Sequence, residues 1–467
     1  MQLKGITLIV AVVLLAVSSA HAQQILKTYT LSSEFSSAPG MPRAARNPVR
    51  DVWLVAWRQG QRILARELRG NGGFGLSRVL ASGVSTSEQD FDLQYDSFRN
   101  RYALVFETSS ALRLQWFTAG LQKAGPAVTL AGSAGGSSPA MTTGSSGPLI
   151  FWLDSAGSTV MTGGGGLVRA SSGTSFSALK AALNPKDGSV LVTLLQKDSR
   201  GRAALHGYQV NADGALRRNT PLVFQPPSAG LESAGSAAFA ADGTAFAVWS
   251  YGSALKYRKV APSGSFPSPA RSFLGATGND SVGPAIVFDE SGEQFLAVWP
   301  NAGRIRSAAW NLAGAVRTQP FDVAASDLEH ARNAVASGDS RLGNVLSVWE
   351  DVSEPGRVTR RQIRASLFFP GTPGNEMAVA IGDNFFSPKS LTIRPGTLVT
   401  WTNQGFNAHT VTSGTPVSQL GTLFDSSTIA HAQKFSFRFT RPGTIPYFCR
   451  VHGSTQSGTI QVVEGSP

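Results

Sequence analysis

The sequence predicts an all-β chain in two parts: a long array of repeated strands, then a small Greek-key sandwich. Three features carry this reading. A four-residue apolar strand recurs seven times between residues 54 and 349, and turn-forming residues fall in phase with it. Beyond residue 376 the rhythm changes to shorter, closely set strands. Fifty glycines among 467 residues suit a chain of many turns, and 42% hydrophobic against 15% charged residues leaves enough apolar matter for packed cores.

The first segment reads as an address. Lys4 supplies a positive start, residues 6–17 are an apolar run, and Ala20-His21-Ala22 forms a small-residue cleavage site. That order describes a signal peptide over residues 1–22, with Gln23 opening the mature chain. The run is short for a spanning helix, and no later segment is apolar enough for one. The expectation is an exported protein, periplasmic or secreted, without a transmembrane segment after processing.

Charge narrows the partners. The formal net charge is +12, yet residues 375–467 hold six Lys/Arg against four Asp/Glu, so most of the excess belongs to the repeats. The arginines are scattered and form no basic run, which argues against nucleic acid. Acidic proteins, polysaccharide or anionic surfaces are the partners such a surface attracts, and a merely basic soluble surface is the plain alternative.

Residues 23–369 carry the repeat. It reads Leu54-Val55-Ala56-Trp57, Ala103-Leu104-Val105-Phe106, Leu149-Ile150-Phe151-Trp152 and Leu191-Val192-Thr193-Leu194. It continues as Phe246-Ala247-Val248-Trp249, Leu296-Ala297-Val298-Trp299 and Leu346-Ser347-Val348-Trp349, with final residues 49, 46, 42, 55, 50 and 50 positions apart. Turns such as Asn184-Pro185-Lys186-Asp187-Gly188 and Ala241-Asp242-Gly243 precede the strand, and Ala212-Asp213-Gly214 and Ala313-Gly314 follow it. Each unit is therefore strand, turn, apolar strand, turn, strand, turn, strand. Seven such units predict a seven-bladed β-propeller, although the weaker third and fourth repeats leave six or eight open. The tryptophans are expected in the core between blades. No kelch or WD signature is present.

The repeats show no catalytic constellation. Their only histidines, His206 and His330, are far apart in sequence, and the Gly163-Gly164-Gly165-Gly166 run lacks the Lys-Ser/Thr of a phosphate loop. It reads as a hairpin. Residues 370–376, rich in Pro and Gly, read as a linker to a second domain over residues 377–467.

In that domain, segments 377–381, 390–393, 397–402, 409–412, 434–439, 445–449 and 459–463 read as strands, the count of a small sandwich. Cys449-Arg450-Val451-His452 sets a thiol and an imidazole at C-x-x-H spacing after a strand, and His409 lies forty residues upstream. A soft thiolate with two imidazoles suits copper. Cys449 is the sole cysteine, which argues against iron–sulfur clusters, Cys-rich zinc sites and any internal disulfide.

The segments Val399-Thr400-Trp401-Thr402-Asn403, His409-Thr410-Val411-Thr412-Ser413 and Tyr447-Phe448-Cys449 with His452 resemble the plastocyanin/azurin-like cupredoxin family. Asn384-Phe385-Phe386-Ser387-Pro388 and the Pro395-Gly396 turn resemble it as well. The likeness covers residues 375–465 and says nothing of the repeats. It implies one mononuclear copper site with His409, Cys449 and His452 as equatorial ligands and His452 as the exposed edge. Arg450 and Val451 are not donors, and His431 is expected at the surface. The methionine usual as axial ligand is absent. Gln456 keeps the usual distance to Gly458 and offers an amide oxygen; Thr455 or an open position are the alternatives.

The expected function is single-electron transfer by an exported copper protein, with the propeller as docking scaffold for an acidic redox partner. The alternative is a propeller-based recognition module whose cupredoxin domain serves structure or copper storage. A propeller followed by a cupredoxin domain resembles nitrous-oxide reductase in outline. That family needs many propeller histidines and two cysteines, where this chain has two and one. The paired H-x-H motifs of multicopper oxidases are also missing, so an enzyme is disfavoured.

Overall fold

The computed structural model describes residues 24–32, 41–69, 73–86, 90–163, 165–229, 231, 235–273, 283–290, 293–326, 330–338, 344–353, 360–369, 376–394, 397–418, 423–439 and 443–463. The expected signal peptide, most of the expected linker and Gly164 lie outside these residues. The described residues form strands and no helices, arranged as nine four-stranded sheets.

Seven sheets are blades. The first runs Arg43–Asn47, Val52–Gln59, Arg62–Arg69 and Arg78–Ser82, each strand antiparallel to the next. The repeated motif occupies the second strand of every blade, from Val52–Gln59 through Gly147–Leu153 and Ala245–Tyr251 to Val345–Val352. Its near-continuous apolar run is explained by burial on both faces. Trp57 packs with Leu346 and Val348 of the last blade, and Trp349 packs with Leu296 and Val298 of the sixth. Each such indole removes about 150–250 Å² from water, worth roughly 4–6 kcal/mol.

The turns behave as their residues require. Gly188 takes φ +73, which an L side chain resists, while the Asn184 carbonyl accepts its N–H at 2.9 Å. Polar contacts also cross between blades. Arg58 of the first blade and Asp90 beside the second form an ion pair in which both side chains are buried.

The innermost strands touch in sequence around an axis, and Arg43–Asn47 in turn contacts His330–Gly338, so the ring is closed. Closure is sealed by a strand the repeat pattern does not mark. The last blade holds His330–Gly338, Val345–Val352 and Arg361–Phe369, and its outer strand is Gln24–Thr30 from the chain start. That strand pairs antiparallel with Arg361–Phe369, Lys27 opposite Leu367 and Thr30 opposite Arg364. Tyr29 and Leu31 are buried with the blade core.

The remaining two sheets form the C-terminal sandwich. One orders Phe385–Ser387, Glu376–Gly382, Thr397–Asn403 and Lys434–Phe439; the other orders Ser390–Ile393, Gly453–Val462, Gly443–Cys449 and Thr412–Ser413. Two pairings are parallel, Glu376–Gly382 with Thr397–Asn403 and Ser390–Ile393 with Gly453–Val462. Trp401 fills the space between sheets, ringed by Phe424, Phe435, Phe439 and Tyr447.

Three elements of the sandwich differ from expectation: Phe385–Ser387 is a short strand where none was expected, and two others change their bounds. The strand expected at 409–412 is reduced to Thr412–Ser413, because His409 is held instead by a bridge to Ile429. The final strand starts at Gly453 rather than residue 459, so Gln456 lies in a strand.

Candidate metal centre

Cys449 ends the strand Gly443–Cys449 and pairs with Gly453 across a three-residue turn. Gly453 adopts φ +61, the left-handed residue that lets so short a loop reverse the chain. This tight turn brings His452 back beside Cys449. His409 arrives from the other side on the connection after Thr397–Asn403. Its N–H donates to the Ile429 carbonyl at 3.1 Å, and its carbonyl accepts from Ile429 N–H at 2.8 Å.

Buried Asn403 secures that connection. Its Nδ2 donates to the Asn407 and Ile429 carbonyls at 2.8 and 3.0 Å, and its Oδ1 accepts from Gly405 N–H at 2.9 Å. The imidazole it presents is fully buried, as is Cys449, whereas His452 is half-buried.

Cys449 Sγ lies 3.5 Å from His452 Nδ1 and 3.8 Å from His409 Nδ1. Among the described residues this is the one cluster of three or more His, Cys, Asp or Glu side chains close enough to hold a metal ion. Bond lengths of about 2.3 Å to sulfur and about 2.0 Å to nitrogen, at 120°, require a sulfur–nitrogen separation of about 3.7 Å. The observed pair brackets that value, so both sulfur–nitrogen separations suit a trigonal metal.

The sulfur is further engaged by Thr410, whose N–H points to it at 3.4 Å. Thr410 Oγ1 accepts from Arg450 N–H at 2.8 Å, tying the cysteine turn to the His409 segment. Arg450 itself turns away to Asp425, and Val451 is exposed; neither offers a donor to the cluster. His431 is exposed as expected, stacked on Phe406 with Nδ1 at 2.8 Å from the Gly405 carbonyl.

Gln456 is fully buried. Its Nε2 donates to the Gly382 and Phe385 carbonyls at 2.7 and 3.2 Å, which turns Oε1 toward His409 Nδ1 at 2.9 Å. Thr455 is exposed and spends its hydroxyl on the His452 carbonyl at 2.6 Å.

One neighbour was invisible to sequence reasoning. Asp383 Oδ1 lies 3.5 Å from His409 Nε2 and accepts from Asn407 N–H at 2.9 Å. The Asn407 N–H, with His409 beside it, holds the Asp383 carboxyl below its usual range. A turn aspartate carries no local signal that the fold will set it against a histidine distant along the chain. His206, by contrast, sits half-buried on a propeller strand beside Tyr208, far from any such cluster, and burial lowers its pKa.

Residues 375–463 match the family of copper binding proteins, plastocyanin/azurin family. Among solved structures, a purple cupredoxin from Nitrosopumilus maritimus is 27% identical, covering 19% of this chain and 99% of that one with a TM-score of 0.18. Over the repeats, the polysaccharide lyase Uly1 is 8% identical, covering 70% and 89% with a TM-score of 0.45. The Dos1 propeller is 9% identical, covering 75% and 95% with a TM-score of 0.43. No curated protein matches the chain. The C-terminal domain is thus a cupredoxin with a His–Cys–His group suited to copper, preceded by a β-propeller.

Proposed function

We propose that the chain is an exported carrier of single electrons, using one mononuclear copper site held by His409, Cys449 and His452 with Gln456 as axial donor. The observation that carries this reading is the approach of Cys449 Sγ to both Nδ1 atoms at 3.5 and 3.8 Å, set in a two-sheet frame. Copper bound there supplies a one-electron couple between Cu(I) and Cu(II).

The chain's own residues do the remainder. Asn403 and the Ile429 bridge fix His409, and the Gly453 turn fixes His452 relative to Cys449. A donor set that cannot relax serves both oxidation states with little rearrangement. Burial of Cys449 and His409 keeps water from the sulfur, and Thr410 N–H stabilises its thiolate. His452, the least buried of the three, is the edge through which electrons would pass.

The amide orientation supports Gln456 as axial donor, since both bonds from Nε2 leave only Oε1 facing the cluster. The hydroxyl of Thr455, engaged with a carbonyl, speaks against that alternative. The signal-like first segment supports export to the periplasm or beyond. The basic propeller supports a docking role toward an acidic redox partner.

Metal analysis of the intact chain, followed by reversible redox titration, tests the reading. One copper per chain that cycles repeatedly is the expected result. Copper that binds but resists reduction and reoxidation would favour the second reading, a recognition propeller with a structural or storage cupredoxin.

A further inference from the structure

The propeller axis is hollow. A cavity of about 220 Å³ is lined by the innermost strands of all seven blades. Its wall mixes aliphatic side chains, among them Leu93, Ala140, Leu191 and Ile286, with the polar Gln94, Thr193, Ser236 and Asn333, and three ionisable groups enter it: Arg43, Asp92 and Lys180.

Two of the three satisfy each other. Arg43 Nε lies 3.2 Å from Asp92 Oδ1. The Asp92 carboxylate also accepts backbone N–H bonds from Leu93 at 2.9 Å and Met141 at 2.8 Å. Lys180 is left over. Its hydrogen-bond partner is the Pro284 carbonyl, at 3.4 Å, and Asp92 attracts it from across the lumen. Arg43 and Asp92 are the only charged neighbours in the lumen; the other four innermost strands present no ionisable side chain to it.

The backbone is bent to place this amine. Ser177 pairs with Leu195 and Lys180 with Thr193, so Ala178 and Leu179 together face Leu194 in a bulge. Ala178 sits at φ +54, a conformation that costs a residue with a β-carbon about 1–3 kcal/mol. Bulges of this kind re-aim side chains beside functional sites. The inner strands Ser137–Gly144 and His330–Gly338 bulge likewise, at Ser138 and Asn333, and the latter also lines the cavity.

We propose that the propeller channel is a binding site for a small organic monocarboxylate, its carboxylate on Lys180 and its apolar body along the aliphatic wall. Arg43, Asp92 and Lys180 together carry one net positive charge, which calls for one negative charge, and a multiply charged ion would leave an excess of the opposite sign. A cavity of about 220 Å³ has room for several waters, and so for a short-chain acid. Burial, then the Arg43 charge, lowers the Lys180 pKa to about 8. Binding of a carboxylate is therefore coupled to retention of the proton.

Calorimetric titration of the full chain with sodium hexanoate, against a chloride background and against inorganic phosphate, is the test. Saturable hexanoate binding is expected, stronger than phosphate binding and about tenfold weaker at pH 9 than at pH 7 as Lys180 loses its proton. Lys180→Met should lose it, and Lys180→Arg should keep it without the fall. No saturable binding, equal or tighter phosphate binding, undiminished binding by a folded Lys180→Met, or the same fall in Lys180→Arg would overturn the proposal.

Discussion

Gln456 Oε1 stands 2.9 Å from His409 Nδ1, with the opposite end of its amide bound to the Gly382 and Phe385 carbonyls. Both side chains are buried, one on the connection bridged to Ile429 and the other on the strand Gly453–Val462, so the amide oxygen is held against the imidazole that would ligate copper. The amide oxygen is harder than a thioether and favours the higher oxidation state.

Gln456→Met should therefore raise the copper potential by about 60–120 mV, one to two tenfold steps of a one-electron equilibrium. Voltammetry of the purified protein decides it. An unchanged potential would remove Gln456 from the ligand set.

Cys449→Ser should abolish the intense visible band of a thiolate–copper bond while leaving the far-ultraviolet circular dichroism of the sandwich intact. A wild-type chain that takes up stoichiometric copper with no such band would show the metal bound elsewhere.

Asp383→Asn removes the negative charge facing His409 Nε2 while keeping a group that can accept from Asn407 N–H. Copper(II) affinity should fall by about 10–100-fold, the usual consequence of losing a carboxylate behind a ligating histidine. Competition with a chelator measures it, and the apo sandwich should keep its melting temperature.

Leu31→Ala should destabilise the propeller by about 2–5 kcal/mol, since Leu31 is fully buried at the closing seam. Removal of the strand Gln24–Thr30 should go further and leave the last blade with an open edge, visible as self-association. A truncated chain that melts like the intact one would mean that the seam contributes nothing.

Lys180 gives stability a pH dependence with a definite sign. Its amine is held at about 8 in the fold against 10.5 for a lysine in water. Between those values the unfolded chain binds more protons, so wild-type stability gains on that of Lys180→Met as pH rises from 8 to 10. Denaturant midpoints across that range should converge from below; a constant gap would show ordinary titration.

Much of this molecule was legible in its sequence, for reasons that differ by residue. The apolar strand announced itself because burial between blades selects apolar residues at nearly every position, Thr193 and Ser347 being the exceptions, and its seven variants sit in the second strand of seven sheets. His409, Cys449 and His452 were found because so few side chain types bind copper well. The Gln24–Thr30 strand was missed because pairing with Arg361–Phe369 depends on ring closure, which leaves no periodic mark near residue 24. Asp383 and Lys180 escaped for a similar reason. One depends on a fold-made encounter, and the other on a bulge that alternation alone does not foresee.

The seam between Gln24–Thr30 and Arg361–Phe369 has a further consequence during synthesis. Thr28 and Ser366, whose hydroxyls meet across it, are 338 positions apart. At about 5–20 residues per second, the start of the nascent chain waits roughly 17–70 seconds for its partner to leave the ribosome. Until then the final blade has no fourth strand, and the early segment travels unpaired. The cupredoxin domain emerges after the propeller, so the ring can close just before the copper ligands are made.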